Sequence, residues 1–456
     1  MTIAVPRQMV GTDWRRAYSW RLLALLSVLL CASWVQWTTA RETHTPSGGG
    51  PDAASYVAYA YNLREYGVYS RMQTWNAPAR PTPDAVSPPG YPIFLTAFMR
   101  GAPDIAFLHR VVLAQAGLGV LTALFAYLLA LRIAGVGVAF VAGLLSAITP
   151  HLATIGTYLL TESLFTCLLM ASMWAFVCAI QGDRRSVWAI AGILFGACCL
   201  VRPTLQALLP VTWIFVVCSP HWRGRWKSLA IASACWCLLL VPWFAYKYTL
   251  PPSSQPDLFR ATLYHGSFPD FMYQGDPQTF DVAYRYDPHA AEIMASYAGL
   301  RKWVGARMRA EPARYLNWYL LGKPAAFLSW DNGPLGTGGA FIYRVDASPY
   351  ISRFSFGLTN AVMRFLHWPL MLLGIVGAAA VLIRPRVIAA VADPASTQLL
   401  AWIAVAAIVF HCIGAPYPRY GIPFWPVFYI MGMTLLAAMA FEARQFKTTA
   451  PTGRFA

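Results

Sequence analysis

Charge is what this sequence has least of. Asp, Glu, Lys and Arg supply 12% of its 456 residues, whereas 57% are hydrophobic. That balance excludes an ordinary water-soluble domain, which has too little interior to hide so much apolar surface. Acids are scarcer than bases, 19 against 35, and leave a net charge of +16. All nine cysteines fall inside hydrophobic stretches and no CxxC pair occurs, which argues against a disulfide framework and against zinc spacing. Cys235-Trp-Cys237 reads as packing inside a membrane helix, where cysteine behaves as a small hydrophobe. No internal repeat is evident, and this weakens a transporter built from inverted halves.

What is present is a series of hydrophobic blocks of roughly the 20 residues that cross about 30 Å of hydrocarbon. They run approximately over 22–39, 109–131, 138–157, 158–180, 188–201, 203–219, 228–248, 361–383, 397–415 and 421–441. The first is not a cleaved signal peptide, because it is long and ends in Trp34, Trp37 and Arg41 rather than in small residues. The expected fold is an all-α polytopic membrane protein of about ten spans with two large external loops. Its parts are an N-terminal membrane module over 1–248 that includes the loop 40–108, a large loop over 249–360, and a C-terminal membrane segment over 361–456.

Basic residues collect on the side of the membrane that is not translocated. A cytoplasmic N-terminus places Arg132, Arg184, Arg185, the stretch His221-Trp-Arg-Gly-Arg-Trp-Lys227, Arg384, Arg386, Arg444 and Lys447 on one side. Both termini are then cytoplasmic, and the expected location is a bacterial inner membrane. Membrane lipids are the expected partner of this charge and nucleic acid is not, because short basic loops make no compact basic domain. Arg202-Pro203 separates two short blocks, read as spans that meet near the external surface.

Both long loops lie on the external side, where function is expected. In the first, Ser47-Gly-Gly-Gly50 precedes a helical pattern from Pro51-Asp52 to a stop at Gly67. Asp52, Tyr56 and Tyr59 share one face of it. Ser87-Pro-Pro-Gly-Tyr-Pro92 leads into a short interfacial helix through Met99. In the second loop, Asp287-Pro288 opens an amphipathic helix with Ile293, Tyr297, Leu300, Val304 and Met308 at helical spacing. His265, Asp270, Asp276, Asp281, Asp287 and His289 are oxygen and nitrogen donors without tight metal spacing.

Ionisable groups near hydrocarbon are costly and usually have a partner or a task. Asp52, Glu162 in Leu160-Thr-Glu-Ser163, Arg202 and Arg419 in Pro416-Tyr-Pro-Arg-Tyr-Gly-Ile-Pro423 are four such groups, and the topology puts all of them on the external face.

The order Asp52-x-x-x-Tyr56 with Asn62-Leu63 and Gly67, Pro88-Pro-Gly-Tyr-Pro92, Thr161-Glu162-Ser-Leu-Phe165, Arg202-Pro203 and Arg419-Tyr-x-x-Pro423 resembles the GT-C glycosyltransferases. It looks like the branch of glycosyltransferase family 39 that holds protein O-mannosyltransferases and lipid A aminoarabinose transferases. The resemblance implies transfer of a sugar from a polyprenyl-phosphate donor to an envelope lipid, glycan or protein on the periplasmic or lumenal face. Asp52 matches the general base of that pattern. Ala53 stands where many relatives have a second acid, and Ser87-Pro-Pro89 where aminoarabinose transferases have Lys-Pro-Pro, so the close subfamily and any divalent metal stay open as expectations.

The chemistry agrees with the residues. A phosphate carrier is a good leaving group, so the site needs a base for the acceptor and cations for the departing charge. Asp52 and Glu162 are the catalytic candidates; Arg202, Arg419, Tyr420, Tyr56 and Lys323 are the candidates for binding donor phosphate and substrate. Each has a structural alternative: Asp52 as a helix cap, Glu162 as the partner of Arg202, Arg419 as an interfacial anchor beside Tyr417 and Tyr420, Lys323 as a snorkelling residue. The competing functions are a transporter or lipid flippase, and another lipid-linked envelope polymerase or ligase.

Overall fold

The computed structural model describes residues 13–46, 49–76, 79–218, 224–332 and 339–449. Ser47 and Gly48, and His221 to Arg223 of the basic stretch, lie outside them, as does the side chain of Lys447. Apolar periodicity produces helices almost throughout, and among the described residues the one strand-like pairing is an isolated bridge between His44 and Ala347.

Among the described residues, seven helices are long and apolar enough to cross a membrane, over 18–42, 105–134, 162–182, 226–248, 354–383, 394–413 and 418–445. A bent pair, Val136–Ile148 and Pro150–Thr157, reaches that length and hydropathy only when its two halves are taken together, and they meet at a 56° break. The cause is Thr149, which is extended before Pro150 (φ −61°, ψ 116°), because proline disfavours helical backbone in the residue it follows. The ten hydrophobic blocks therefore each meet a helix, and among the described residues seven or eight of these reach the length and hydropathy of a span. Arg185–Val201 is apolar and shorter, and Leu208–Cys218 covers 11 described residues. Arg202, extended before Pro203 (φ −139°, ψ 116°), interrupts the two.

The elements that carry the site are α1 (Asp13–Glu42), α2 (Gly50–Tyr66), α3 (Gly90–Thr96), α4 (Ile105–Ala134), α5 (Val136–Ile148), α6 (Pro150–Thr154), α7 (Glu162–Gly182) and α8 (Arg185–Val201). Helix α4 packs on α1, α5 and α7, and α7 on α8; the helix Phe354–Ile383 packs along the C-terminal helix Trp425–Thr449, which returns onto α5. One apolar core runs through all of them.

The two long connections meet at the same end of this bundle. His44 N donates to Ala347 O at 3.0 Å and Asp346 N to His44 O at 2.9 Å. Beside them Arg353 grips the Glu42 carboxylate with two nitrogens, Nε at 2.7 Å. Deeper in, the Tyr158 hydroxyl donates to Tyr343 O at 2.8 Å. Within the second connection, the single amphipathic helix expected from Asp287 is instead two, Ala290–Ala295 and Tyr297–Ala310. Ser296 is extended between them and accepts from Gly299 N at 3.0 Å, so a local cap wins over the continuous apolar stripe. Ile293 and Val304 are still buried as their spacing required.

Candidate active site at the loop-bearing end

Helix α2 begins beside the chain's return loop. Gly49 and Gly50 have φ of +126° and +73°, a backbone that favours glycine, and a Cβ on Gly50 would stand 3.2 Å from the Tyr343 ring. The pair thus lets α2 start against Tyr343. Its N-cap is Gly49, with no side-chain cap bond. Asp52, in the first turn, turns its carboxylate elsewhere: Arg419 Nη2 donates to Asp52 Oδ2 at 2.8 Å. Helix α2 ends as expected at Gly67 (φ 63°), whose N–H bonds Asn62 O.

Arg419 also donates through Nη1 to the Tyr343 hydroxyl at 3.2 Å and through Nη2 to the Tyr420 hydroxyl at 3.5 Å. Arg202 lies 3.2 Å from Glu162 Oε1, and this pair is nearly dry, with side-chain exposures of 12% and 3%. The two ion pairs are joined by one ring. Tyr420 has the Arg202 guanidinium 4.4 Å and the Arg419 guanidinium 5.2 Å from its centroid, both inside cation–π range. Asp52, Glu162, Arg202, Arg419 and Tyr420, drawn from four distant segments, therefore form one cluster of two carboxylates and two guanidinium groups.

Tyr56 belongs to the same cluster. Burial first, then the Asp52 and Glu162 carboxylates, push its phenol above the usual range, while Arg419 and Arg202 oppose. Its ring meets Tyr91 edge-on at 5.2 Å. Tyr91 is pinned by Gln115, whose amide reaches Gly156 O and Tyr158 O at 2.9 and 2.8 Å. Helix α3, which carries Tyr91, is set against α8 by Gly90: a Cβ there would lie 2.8 Å from backbone atoms of Leu200 and Val201. That contact fixes the backbone immediately before Arg202.

One expected member, Lys323, is elsewhere, and so is Tyr59, which shares the helix face of Asp52. Lys323 is fully buried, and its ammonium donates to Cys412 O and Gly414 O at 2.9 and 2.8 Å, 3.8 Å from the Tyr319 ring centroid. Those are carbonyls that the C-terminus of a helix leaves unpaired, so the lysine holds the helix Pro394–Ile413 rather than joining the cluster. Burial lowers its pKa to about 7. Tyr59, expected on the Asp52 face, instead hydrogen-bonds Asp84 and stacks on Tyr69 at 4.2 Å beneath the Pro-rich loop.

Tyr343 was not singled out by the sequence, because it sits in a loop without periodicity. Among the described residues no group of three or more His, Cys, Asp or Glu is arranged to hold a metal. Asp287 is engaged by Arg307 at 3.1 Å and by the Tyr264 hydroxyl at 2.9 Å; Asp276 caps a turn; His289 stacks on Trp303. At Asp52 the neighbouring residue is Ala53, and the Arg419 guanidinium occupies one of the two carboxylate oxygens.

The chain has the fold of an archaeal oligosaccharyltransferase. Residues 87–246 match the family model described as dolichyl-phosphate-mannose-protein mannosyltransferase. The Archaeoglobus fulgidus oligosaccharyltransferase, tethered with an acceptor peptide containing the NVT sequon, aligns with a TM-score of 0.54 at 16% identity over 96% of this chain and 51% of that one. Its apo form gives 0.53 at 15%, over 96% and 52%. This chain thus spans about half the length of that enzyme. ArnT from Cupriavidus metallidurans bound to undecaprenyl phosphate aligns at 0.41 and 15% identity, over 94% of this chain and 79% of that one. No curated protein matches in sequence.

Proposed function

We propose that this protein is an integral membrane glycosyltransferase that takes a sugar from a polyprenyl-phosphate carrier and gives it to an envelope lipid, glycan or protein on the external face of a bacterial inner membrane. The observation that carries this reading is the cluster itself. Its Asp52 carboxylate is 45% exposed and held by Arg419, while Arg202 is held by the buried Glu162 beside it.

In this reading Asp52 takes the proton of the acceptor hydroxyl or amine as that atom attacks the anomeric carbon. The bond from that carbon to the phosphate oxygen breaks on the opposite side, and the phosphate leaves with the electron pair, so configuration inverts. Arg419 and Arg202 meet the departing charge, guanidinium being suited to bidentate phosphate binding. Glu162 is assigned a positioning role, because it is 2% exposed and bound to Arg202. Tyr420 presents one ring to both cations. Arg419 also holds the base in place.

The test is to incubate the full chain in lipid nanodiscs with a panel of polyprenyl-phosphate sugars and an envelope extract. Loss of sugar from one carrier with inverted configuration in the product supports the reading. No consumption of any carrier overturns it.

A further inference from the structure

The turn that presents Arg419 is braced at both ends by one short helix that takes no part in the steps above. This turn runs from Gly414, where the helix Pro394–Ile413 ends, through Pro416 and Pro418 to Gly421. At its start, Lys323 Nζ donates to Cys412 O and Gly414 O at 2.9 and 2.8 Å. At its end, Gly421 lies so close to Phe327 that a Cβ there would stand 1.9 Å from Phe327 O. Lys323 and Phe327 are the first and last residues of the helix Lys323–Phe327. One and a half turns of helix therefore reach both ends of the segment that carries Arg419.

The residues before Lys323 aim it. Trp318–Gly322 is a π turn in which Lys323 N donates to Trp318 O, a local widening of the helix that recurs where function demands a particular direction. Glycine at 322 permits the turn, because a Cβ there would stand 2.4 Å from the Trp318 ring. That ring is itself fixed, its Nε1 donating to Gly266 O at 2.9 Å. Gly266 in turn presses on the Arg419 segment, since a Cβ there would stand 1.9 Å from Gly414 O. Gly414 O is thus held between the Lys323 ammonium and the backbone of the large connection. Aromatic stacking closes the rest, Phe327 on His411 at 4.7 Å and Phe271 on Tyr417 at 4.6 Å.

Packing alone does not ask for a lysine here. Its side chain is wholly buried, and an amine taken out of water is costly unless its hydrogens are bonded. A methionine would fill similar space without that cost, but it would leave the carbonyls at the helix end unpaired. It would also let the segment shift, because hydrogen bonds are directional and apolar contact is not. Pro416 and Pro418 stiffen the backbone beyond Gly414, so a displacement of Gly414 is carried to Arg419. The guanidinium has little tolerance for it, with bonds to Asp52, Tyr343 and Tyr420 at 2.8, 3.2 and 3.5 Å. We infer that Lys323 is a positioning residue for Arg419, acting through the Gly414–Gly421 segment and touching neither carrier nor acceptor. This rests on the function proposed above, in which Arg419 meets the carrier phosphate.

The experiment is a double-mutant cycle on the full chain in nanodiscs, read as affinity for sugar-free polyprenyl phosphate by native mass spectrometry. Arg419→Gln is expected to weaken binding about 10- to 100-fold, the loss of a charged hydrogen-bond donor. Lys323→Met should weaken it about 10-fold, since it displaces that donor without removing it. If the lysine acts through the arginine, adding Lys323→Met to Arg419→Gln changes affinity by less than about 2-fold, whereas independent effects multiply. A general loosening of the fold weakens binding in both backgrounds, so the cycle separates it from positioning. An equal loss in both backgrounds, or no loss from Lys323→Met in the wild type, overturns the assignment. Should Lys323→Met fail to fold, Lys323→Gln carries the same cycle with a smaller first step, because it keeps an N–H donor on a side chain one bond shorter. A wild type that binds no polyprenyl phosphate, or an Arg419→Gln variant that binds it equally well, refutes the phosphate role proposed above and the positioning role with it. Arg419→Gln that weakens binding while the Lys323 effect multiplies refutes the positioning role alone.

Discussion

Glu162→Gln separates a structural ion pair from a phosphate site. The Glu162–Arg202 pair is 3.2 Å long and almost wholly buried, and removing one partner of such a pair typically costs about 3–5 kcal/mol, because a charge stays buried without compensation. Glutamine preserves the volume, so the loss is electrostatic. The same change has the opposite sign for the ligand. If Arg202 receives the carrier phosphate, Glu162 repels that phosphate; at ~6 Å and an effective dielectric of ~20 the repulsion is about 3 kcal/mol, so its removal tightens binding by roughly 10- to 100-fold. Thermal unfolding in nanodiscs, with and without polyprenyl phosphate, reads both effects. The variant is expected to melt well below the wild type alone and to recover most of that loss at saturating carrier. A variant that melts like the wild type refutes the buried pair. One that is destabilised but gains no more from the carrier than the wild type refutes Arg202 as a phosphate ligand.

Two further outcomes follow from packing and burial. Gly90→Ala places a methyl 2.8 Å from the backbone of Leu200 and Val201, and should cost about 1–3 kcal/mol in thermal or denaturant unfolding. Since that backbone leads into Arg202, carrier affinity should fall as well. Lys323 has a pKa lowered to about 7 from 10.5, so between those values the unfolded chain binds more protons than the folded one. Stability then rises with pH across about 7 to 10.5 and is lost as pH falls through 7. The neutral amine keeps two N–H groups for Cys412 O and Gly414 O. Lys323→Met should be less stable throughout and lack this rise in melting temperature.

The cluster was legible in the sequence because a charge at the end of an apolar block is conspicuous. Asp52, Glu162, Arg202 and Arg419 stood out for that reason, and they converge. Tyr343 did not stand out, and Asp281 stood only among the scattered donors of the second loop. Each is a loop residue whose place depends on tertiary contacts, Tyr343 through the bond from Tyr158 185 residues earlier and Asp281 through a left-handed turn. Helical spacing put Tyr59 beside Asp52, but the stretch after Gly67 folds back over it and supplies Asp84. Hydrophobic blocks showed where helices form, yet Thr149-Pro150 and Arg202-Pro203 decide where those helices are interrupted. Lys323 illustrates the converse, a lysine whose solvent-facing reading fails because unpaired helix carbonyls lie within its reach.

The central claim is that Asp52 takes the acceptor's proton in a sugar transfer. Its most direct test is the single-turnover transfer rate of wild type and Asp52→Asn with whichever polyprenyl-phosphate sugar the wild type consumes, alongside carrier binding to each. The account predicts that Asp52→Asn binds the carrier and transfers at least about 100-fold more slowly, as expected for loss of a general base. Transfer by Asp52→Asn at the wild-type rate would contradict it.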